Sequence, residues 1–238
     1  MINFKNKRIM LVVAHPDDEL LGLGATMNKL ILEENATVHV VILGEGITSR
    51  SHSRDVKLWS TQLEVHRANI KSAQSEIGYQ SVSIYDFADN RFDTVALLDL
   101  IKVVEKEKEK FNPEIIFTHH GGDVNIDHQR TFDAVITACR PMQSENVKTI
   151  ITFETPSGTE WRANSDPKHF LPNLFFEVDK KNIDAKIKGM ESYEFEKRSF
   201  PHPRSPEALI IQAQKWGVAT GCNYAEAFCI IRTICNKV

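Results

Sequence analysis

Two short runs of this sequence crowd histidine and aspartate together: Ala14-His15-Pro16-Asp17-Asp18-Glu19, and His119-His120-Gly121-Gly122-Asp123-Val124-Asn125-Ile126-Asp127-His128. Adjacent carboxylates repel one another unless a cation or a shared proton compensates. Two neutral imidazoles and one carboxylate, with water in the fourth position, form a recurrent catalytic zinc arrangement. His15 and Asp18 from the first run and His128 from the second supply that donor set. Asp17 is then free to act as general base on a water whose pKa the metal lowers to about 7. The competing reading of the first run is a capped turn, because Pro suits the first turn of a helix and Asp accepts from its orphan N–H groups.

Both runs need elements to bring them together. Each follows a short apolar stretch without polar alternation, the pattern of a strand buried on both faces, and each precedes helical spacing. Strands are expected at 8–14, 38–43, 82–85, 114–118, 149–153 and 173–178, with a last one at 227–234. Helical spacing covers 19–33, 56–77, 95–110 and 128–140, and the Pro-rich loop 200–206 leads into a helix at 207–216. This alternation predicts an α/β fold with a mostly parallel sheet, helices on both faces and the active site at the carboxyl ends of the strands. The two runs then leave the same end of one sheet, where their donors can converge on one ion. A length of 238 residues fits a single domain, 1–238. With 29 Lys+Arg against 32 Asp+Glu and a net charge of −3, the chain lacks the positive field of a nucleic-acid binder. The polar start and the early interruption at Asp17 and Asp18 leave no room for a signal segment or a membrane span, so a cytoplasmic protein is expected. Cys139, Cys222, Cys229 and Cys235 show no paired C-x-x-C spacing and read as free thiols, neither ligands nor disulfides.

At these residues the sequence resembles the PIG-L/LmbE-like zinc-dependent N-deacetylases, which act on N-acetylglucosamine derivatives. Residues 14–19 reproduce that family's AHPDDE signature, and Asp127-His128 looks like its second metal motif. The likeness extends to Asp89-Asn90-Arg91, to the helix ending at Gly78 and to Pro201-His202-Pro203-Arg204-Ser205. It implies a Rossmann-like three-layer sandwich, one Zn2+ per chain on His15, Asp18 and His128, and Asp17 as the base. It further implies that Asp127 orients a histidine, that Asp89 accepts a sugar hydroxyl, and that the partner is a small N-acetylated sugar. In one respect the chain departs from the pattern. Many relatives carry a His three positions before the metal His, where Asn125 stands here. Asn can donate to an oxyanion but supplies no proton, so the general acid falls to Asp17, His202 or His120, with Asp17 shuttling the proton and His202 assisting preferred.

Arg54 and His120 join Asp89 as expected substrate contacts. Arg54 follows a polar loop and suits a hydroxyl, phosphate or carboxylate, although a solvated loop Arg is an equal reading. His52, His66 and His169 read as surface or packing residues, and Gly44-Glu45-Gly46 as a turn. Gly22 and Gly24 fall inside the first helix, which argues against a dinucleotide fingerprint; no P-loop occurs, and Ser157 and Ser205 lack a G-x-S-x-G context. Two other function classes stay open. Two His and one carboxylate also make the facial triad of non-haem iron oxygenases, and Asn125 is compatible with a catalytically inactive module that binds metal or sugar. Substrate choice falls on loops 47–59 and 156–172, and a homo-oligomer is open because the loop 201–206 could reach a neighbouring subunit's site.

Overall fold

The computed structural model describes residues 2–235. Its centre is β1 (Arg8–Val13), whose Ile9, Leu11 and Val13 enter one apolar cluster while Met10 and Val12 enter another on the opposite face. Apolar residues at successive positions are therefore explained by helices covering both faces of the strand. β2 (Thr37–Gly44), β3 (Ser81–Phe87), β4 (Ile115–His119) and β5 (Thr149–Phe153) run parallel to it. β6 (Leu174–Glu177) and β7 (Ala225–Thr233) complete a seven-stranded sheet of order β3-β2-β1-β4-β5-β7-β6, in which β7 is antiparallel to both neighbours.

One face of the sheet is covered by α1 (Asp18–Glu34), α2 (Ser60–Ile77) and, later in the chain, α5 (Lys180–Glu191). The other is covered by α3 (Leu97–Phe111) and α4 (Ile126–Ala138), and α6 (Pro206–Thr220) packs on β7. Strand order reverses at β1, between β2 and β4, which is where an open α/β sheet opens a crevice at its carboxyl end. The register pairs Val12 with Thr118, so the chain leaves β1 and β4 side by side.

Three local features depart from the expected pattern. α5 lies where only a strand was expected nearby. Its Lys-rich sequence hides the apolar face, but Asp179 and Asn182 form a reciprocal capping box at its start. α2 begins at Ser60, because Asp55 Oδ1 accepts the Lys57 and Leu58 amides (3.0 Å each) and holds 55–58 as a turn. α1 is kinked at Leu23 (φ −149°, ψ 27°), and Glu226 takes the amides of Ala25 (3.4 Å) and Thr26 (2.7 Å). Lys186 Nζ neutralises that carboxylate at 2.6 Å. The neighbouring Gly22 is there for proximity, since a Cβ would lie 2.3 Å from Phe153 Cδ2.

Candidate active site

The turn from β1 into α1 folds back on itself. The His15 amide donates to Asp18 Oδ2 (2.8 Å), and the Asp17 amide donates to Glu19 Oε2 (3.0 Å). Asp17 itself does not cap the helix. It sits at φ 102°, in the left-handed region, with no side-chain bond to the helix start; for a non-glycine residue that conformation costs about 1–3 kcal/mol, held in place by the surroundings.

Asp18 Oδ2 stands 3.4 Å from His15 Nδ1 and 3.4 Å from His128 Nε2. Ligand atoms bound at about 2.0–2.2 Å to a tetrahedral ion lie roughly 3.4 Å apart, so these atoms have the spacing of corners of one coordination shell. His119 Nε2 is equally near Asp18 Oδ2, at 3.4 Å. Its lone pair, however, accepts the Ala14 amide at 2.9 Å. Burial and the neighbouring His128 push His119 down to about 4, and its ring stacks on His128 with centroids 3.9 Å apart. His119 is therefore a neutral support beneath His128.

Outer carboxylates set which nitrogen of the His15 and His128 rings is free. Asp127, fully buried, accepts from His15 Nε2 at 2.8 Å, from the Asn90 amide at 2.6 Å and from the Phe92 amide at 2.9 Å. A carboxylate already receiving two backbone N–H groups needs a donor from His15, so Nε2 carries the proton and Nδ1 presents its lone pair to the shell. This makes the grouping of His15 with Asp89 and Asp127, which also has metal-like spacing, a hydrogen-bonded cluster. Asp123 plays the matching part for His128: its Oδ2 lies 3.2 Å from Nδ1, a charge contact short of a straight hydrogen bond. Thr159 Oγ1 (2.7 Å) and the Asn125 amide (2.8 Å) fix Asp123. Burial alone would push His15 down, but Asp127 and Asp18 hold it well above the usual value; against the same burial, Asp18 and Asp123 lift His128 to about 9. A field that favours a proton on both rings equally favours a divalent cation between them.

Asp17 stands beside this shell. Arg204 Nη1 donates to its Oδ2 at 2.8 Å and to Glu196 Oε2 at 3.0 Å, while Nε donates to Ser157 Oγ at 2.7 Å. Burial pushes the Asp17 carboxyl well above the usual range, and Arg204 opposes that push. In front lies a cavity of about 280 Å³ whose walls include His15, Asp17, Asp89, Asn125, Trp161 and His202.

The other expected residues divide. Asp89 lines the cavity, with Oδ2 accepting from the Ser49 amide (3.1 Å) and hydroxyl (2.6 Å). Asn125 caps α4 by accepting the Asp127 amide on Oδ1 at 2.8 Å, and among the described residues no acceptor takes its Nδ2. His202 accepts the Arg204 amide on Nδ1 at 3.2 Å, which places its proton on Nε2. The loop bearing His202 lines the cavity of its own chain. Arg54 and His120 do not line this cavity. Arg54 is bound through Nε and Nη2 to Glu45 (2.9 and 3.1 Å), and the loop arginine that reaches the cavity is Arg50. His120 Nε2 donates to the Lys168 carbonyl at 2.7 Å, turned away by its alternation with His119. Asp123 and Arg204 were given no role from sequence, although Asp123 lies within the second run.

Known proteins of similar sequence and fold identify the family. The model of the PIG-L family, GlcNAc-PI de-N-acetylase, matches residues 10–139, which contain both acidic turns. The uncharacterized deacetylase YaiS of Escherichia coli (strain K12) is 25% identical over 194 residues, covering 79% of this chain and 91% of its own. Among solved structures, N,N'-diacetylchitobiose deacetylase from Pyrococcus horikoshii has a TM-score of 0.73 at 16% identity, over 95% of this chain and 84% of that one. GalB, the 4-carboxy-2-hydroxymuconate hydratase from Pseudomonas putida KT2440, has a TM-score of 0.72 at 18% identity, over 98% and 99%. At such identities the structural likeness shows the fold alone, and one of these two structures is a hydratase. The family match, by contrast, spans more than half of the chain, and the protein belongs to the PIG-L family of de-N-acetylases.

Proposed function

We propose that the protein hydrolyses the acetamide of an N-acetylated amino sugar, with one zinc ion on His15, Asp18 and His128 and with Asp17 as general base. The observation that carries this reading is the pairing of a shell of 3.4 Å spacing with an adjacent buried carboxyl held outside it by Arg204. A divalent ion in that shell supplies Lewis-acid polarisation of the amide carbonyl and acidifies water.

The chain's own residues do the rest. Arg204 occupies Asp17 Oδ2, which leaves Oδ1 to take the proton that the attacking water loses. Asn125 Nδ2 donates to the carbonyl oxygen as it gains charge. The C–N bond then breaks, acetate leaves, and the departing nitrogen takes its proton from Asp17. Burial, Arg204 and Arg198 push His202 below its usual pKa, so at neutral pH it assists as a neutral Nε2–H donor and is a poor source of a full proton. Asp89 accepts a sugar hydroxyl. We read the protein as cytoplasmic: free thiols at Cys139, Cys222, Cys229 and Cys235 suit a reducing compartment, and among the described residues no helix is long and apolar enough to cross a membrane.

The test is a panel of N-acetylated sugars incubated with the protein without oxygen, with acetate and primary amine both measured. Equal release of the two, abolished by a chelator and restored by zinc, is expected. Turnover only with Fe(II) and O₂ would instead support the oxygenase. Sugar binding without acetate would support the inactive module.

A further inference from the structure

Asp17 departs from the usual form of a helix start. An aspartate in that position normally lies in the extended region and turns its carboxylate onto the amides of the first turn. Asp17 gives those amides only its backbone: Leu20 and Leu21 donate to its carbonyl oxygen at 3.0 and 2.9 Å, and its carboxylate is left for Arg204. Its own amide donates to Glu19 Oε2 at 3.0 Å, with the backbone at φ 102°. The third acid of the turn therefore holds the second in a conformation that a non-glycine residue keeps only when its surroundings enforce it.

Glu19 is in turn held from a distant part of the chain. It is fully buried, and its Oε1 accepts the hydroxyl of Tyr193, which lies in the turn after α5. A buried carboxylate oxygen without a donor is unfavourable, so this hydroxyl decides which way Glu19 faces and keeps Oε2 on the Asp17 amide. Tyr193 is itself fully buried, and its carbonyl oxygen takes the Glu196 amide at 3.0 Å. Glu196 Oε2 in turn accepts from Arg204, the guanidinium that binds the Asp17 carboxylate. One turn thus holds Asp17 at two points, through Tyr193 and Glu19 at the backbone and through Glu196 and Arg204 at the side chain. Neither Tyr193 nor Glu19 lines the cavity, so neither touches a substrate there.

We propose that Tyr193 is a positioning residue for the base: its hydroxyl fixes Glu19, Glu19 holds the Asp17 amide, and the Asp17 carboxylate is thereby kept out of the capping position and turned toward the cavity. The catalytic consequence rests on the reading of Asp17 as general base given above; the hydrogen-bonded chain from Tyr193 to the Asp17 amide does not.

The test has a kinetic arm and an arm that needs no substrate. Acetate release is measured with the N-acetylated sugar of the panel that the parent hydrolyses fastest. Because a small misplacement of a reacting group costs orders of magnitude in rate, kcat should fall about tenfold in Tyr193→Phe and about 100-fold in Glu19→Ala, with KM and zinc content at the parent level. Glu19→Gln keeps an acceptor for the Asp17 amide, and the Tyr193 oxygen can accept from the new NH₂, so this variant should recover most of the loss seen in Glu19→Ala. In an Asp17→Asn background the base is gone, and Tyr193→Phe should then change the residual rate by less than about threefold, as expected of residues that act as a unit. A purely structural role would lower the rate in both backgrounds. In the second arm, exchange of the Asp17 amide proton is followed by NMR, and it should be at least about tenfold faster in Glu19→Ala than in the parent and the Glu19→Gln protein. The inference is overturned if kcat in Tyr193→Phe and Glu19→Ala stays within about twofold of the parent, if the Tyr193→Phe loss persists undiminished in the Asp17→Asn background, or if Asp17 amide exchange is the same in Glu19→Ala as in the parent. Absence of acetate release from every sugar by the parent, with faster Asp17 exchange in Glu19→Ala, would sink the deacetylase reading and leave the positioning chain standing. Acetate release that is equal in the parent, Tyr193→Phe and Glu19→Ala would do the reverse.

Discussion

Replacing Asp127 by Asn tests how His15, a ligand in the proposed zinc site, is held. The carboxylate takes His15 Nε2 and the Asn90 amide on Oδ2, and the Phe92 amide on Oδ1. An amide of the same shape has one acceptor oxygen. If that oxygen keeps the Oδ2 position, the new NH₂ faces the Phe92 N–H; if it keeps Oδ1, the NH₂ faces both His15 and Asn90. Either way a charge-assisted bond at a fully buried site is lost and two donors oppose each other, which costs about 1.5–3 kcal/mol of stability. His15 also loses the partner that fixes its proton on Nε2, and outer partners of this kind typically change metal affinity by about 10–100-fold. Zinc competition against a chromophoric chelator should therefore show affinity falling within that range, and urea unfolding should show the accompanying loss of stability. Zinc affinity within twofold of the parent, in a variant that is folded, would refute the claim that Asp127 sets the tautomer of His15.

Other predictions follow from neighbouring geometry. Arg204→Leu should leave the Asp17 and Glu196 carboxyls without their shared guanidinium and lower kcat by about 100-fold or more, in line with loss of a positioned base, while zinc content measured by elemental analysis stays at the parent level. Burial, and then Arg50, push His66 down to about 4 from 6.5. The unfolded chain therefore takes up this proton first as pH falls, so stability present above pH 6.5 is lost on the way to pH 4, by about 3 kcal/mol in all. His66→Phe, which keeps the stack on Phe195, should flatten that part of the pH dependence in urea midpoints; an unchanged slope between pH 7 and 5 would contradict it. Gly22→Ala should destabilise by about 1–3 kcal/mol through overpacking against Phe153, read from thermal unfolding.

The parts of the site that sequence reveals are those built locally. His15, Asp17 and Asp18 share one turn, and Asn125, Asp127 and His128 share another, so strand-to-helix punctuation was enough to find them. Parallel alternation puts both turns at the same end of the sheet, and the pairing of β1 with β4, which strand order alone reveals, is why the two turns meet. What escaped sequence reading depends on partners distant in the chain. Arg204 reaches Asp17 across 187 positions, and the likeness at residues 201–205 drew a role for His202 alone. Arg50 and Arg54 sit on the same polar segment, and the choice between them was made by Glu45 binding Arg54. His119 and His120 differ only in which way β4 turns them. α5 was obscured by lysines, one of which, Lys186, is buried against Glu226.

In the proposed mechanism His15, Asp18 and His128 bind the ion while Asp17 moves the proton. Its most direct test measures zinc content and acetate release on the same preparations of the parent, Asp17→Asn and His15→Ala proteins, with a substrate identified by the sugar panel. One equivalent of zinc is expected in the parent and in Asp17→Asn, with acetate release lost in the latter, and loss of both zinc and activity in His15→Ala. Near-parental acetate release by Asp17→Asn, or zinc retained at full occupancy by His15→Ala, would contradict it.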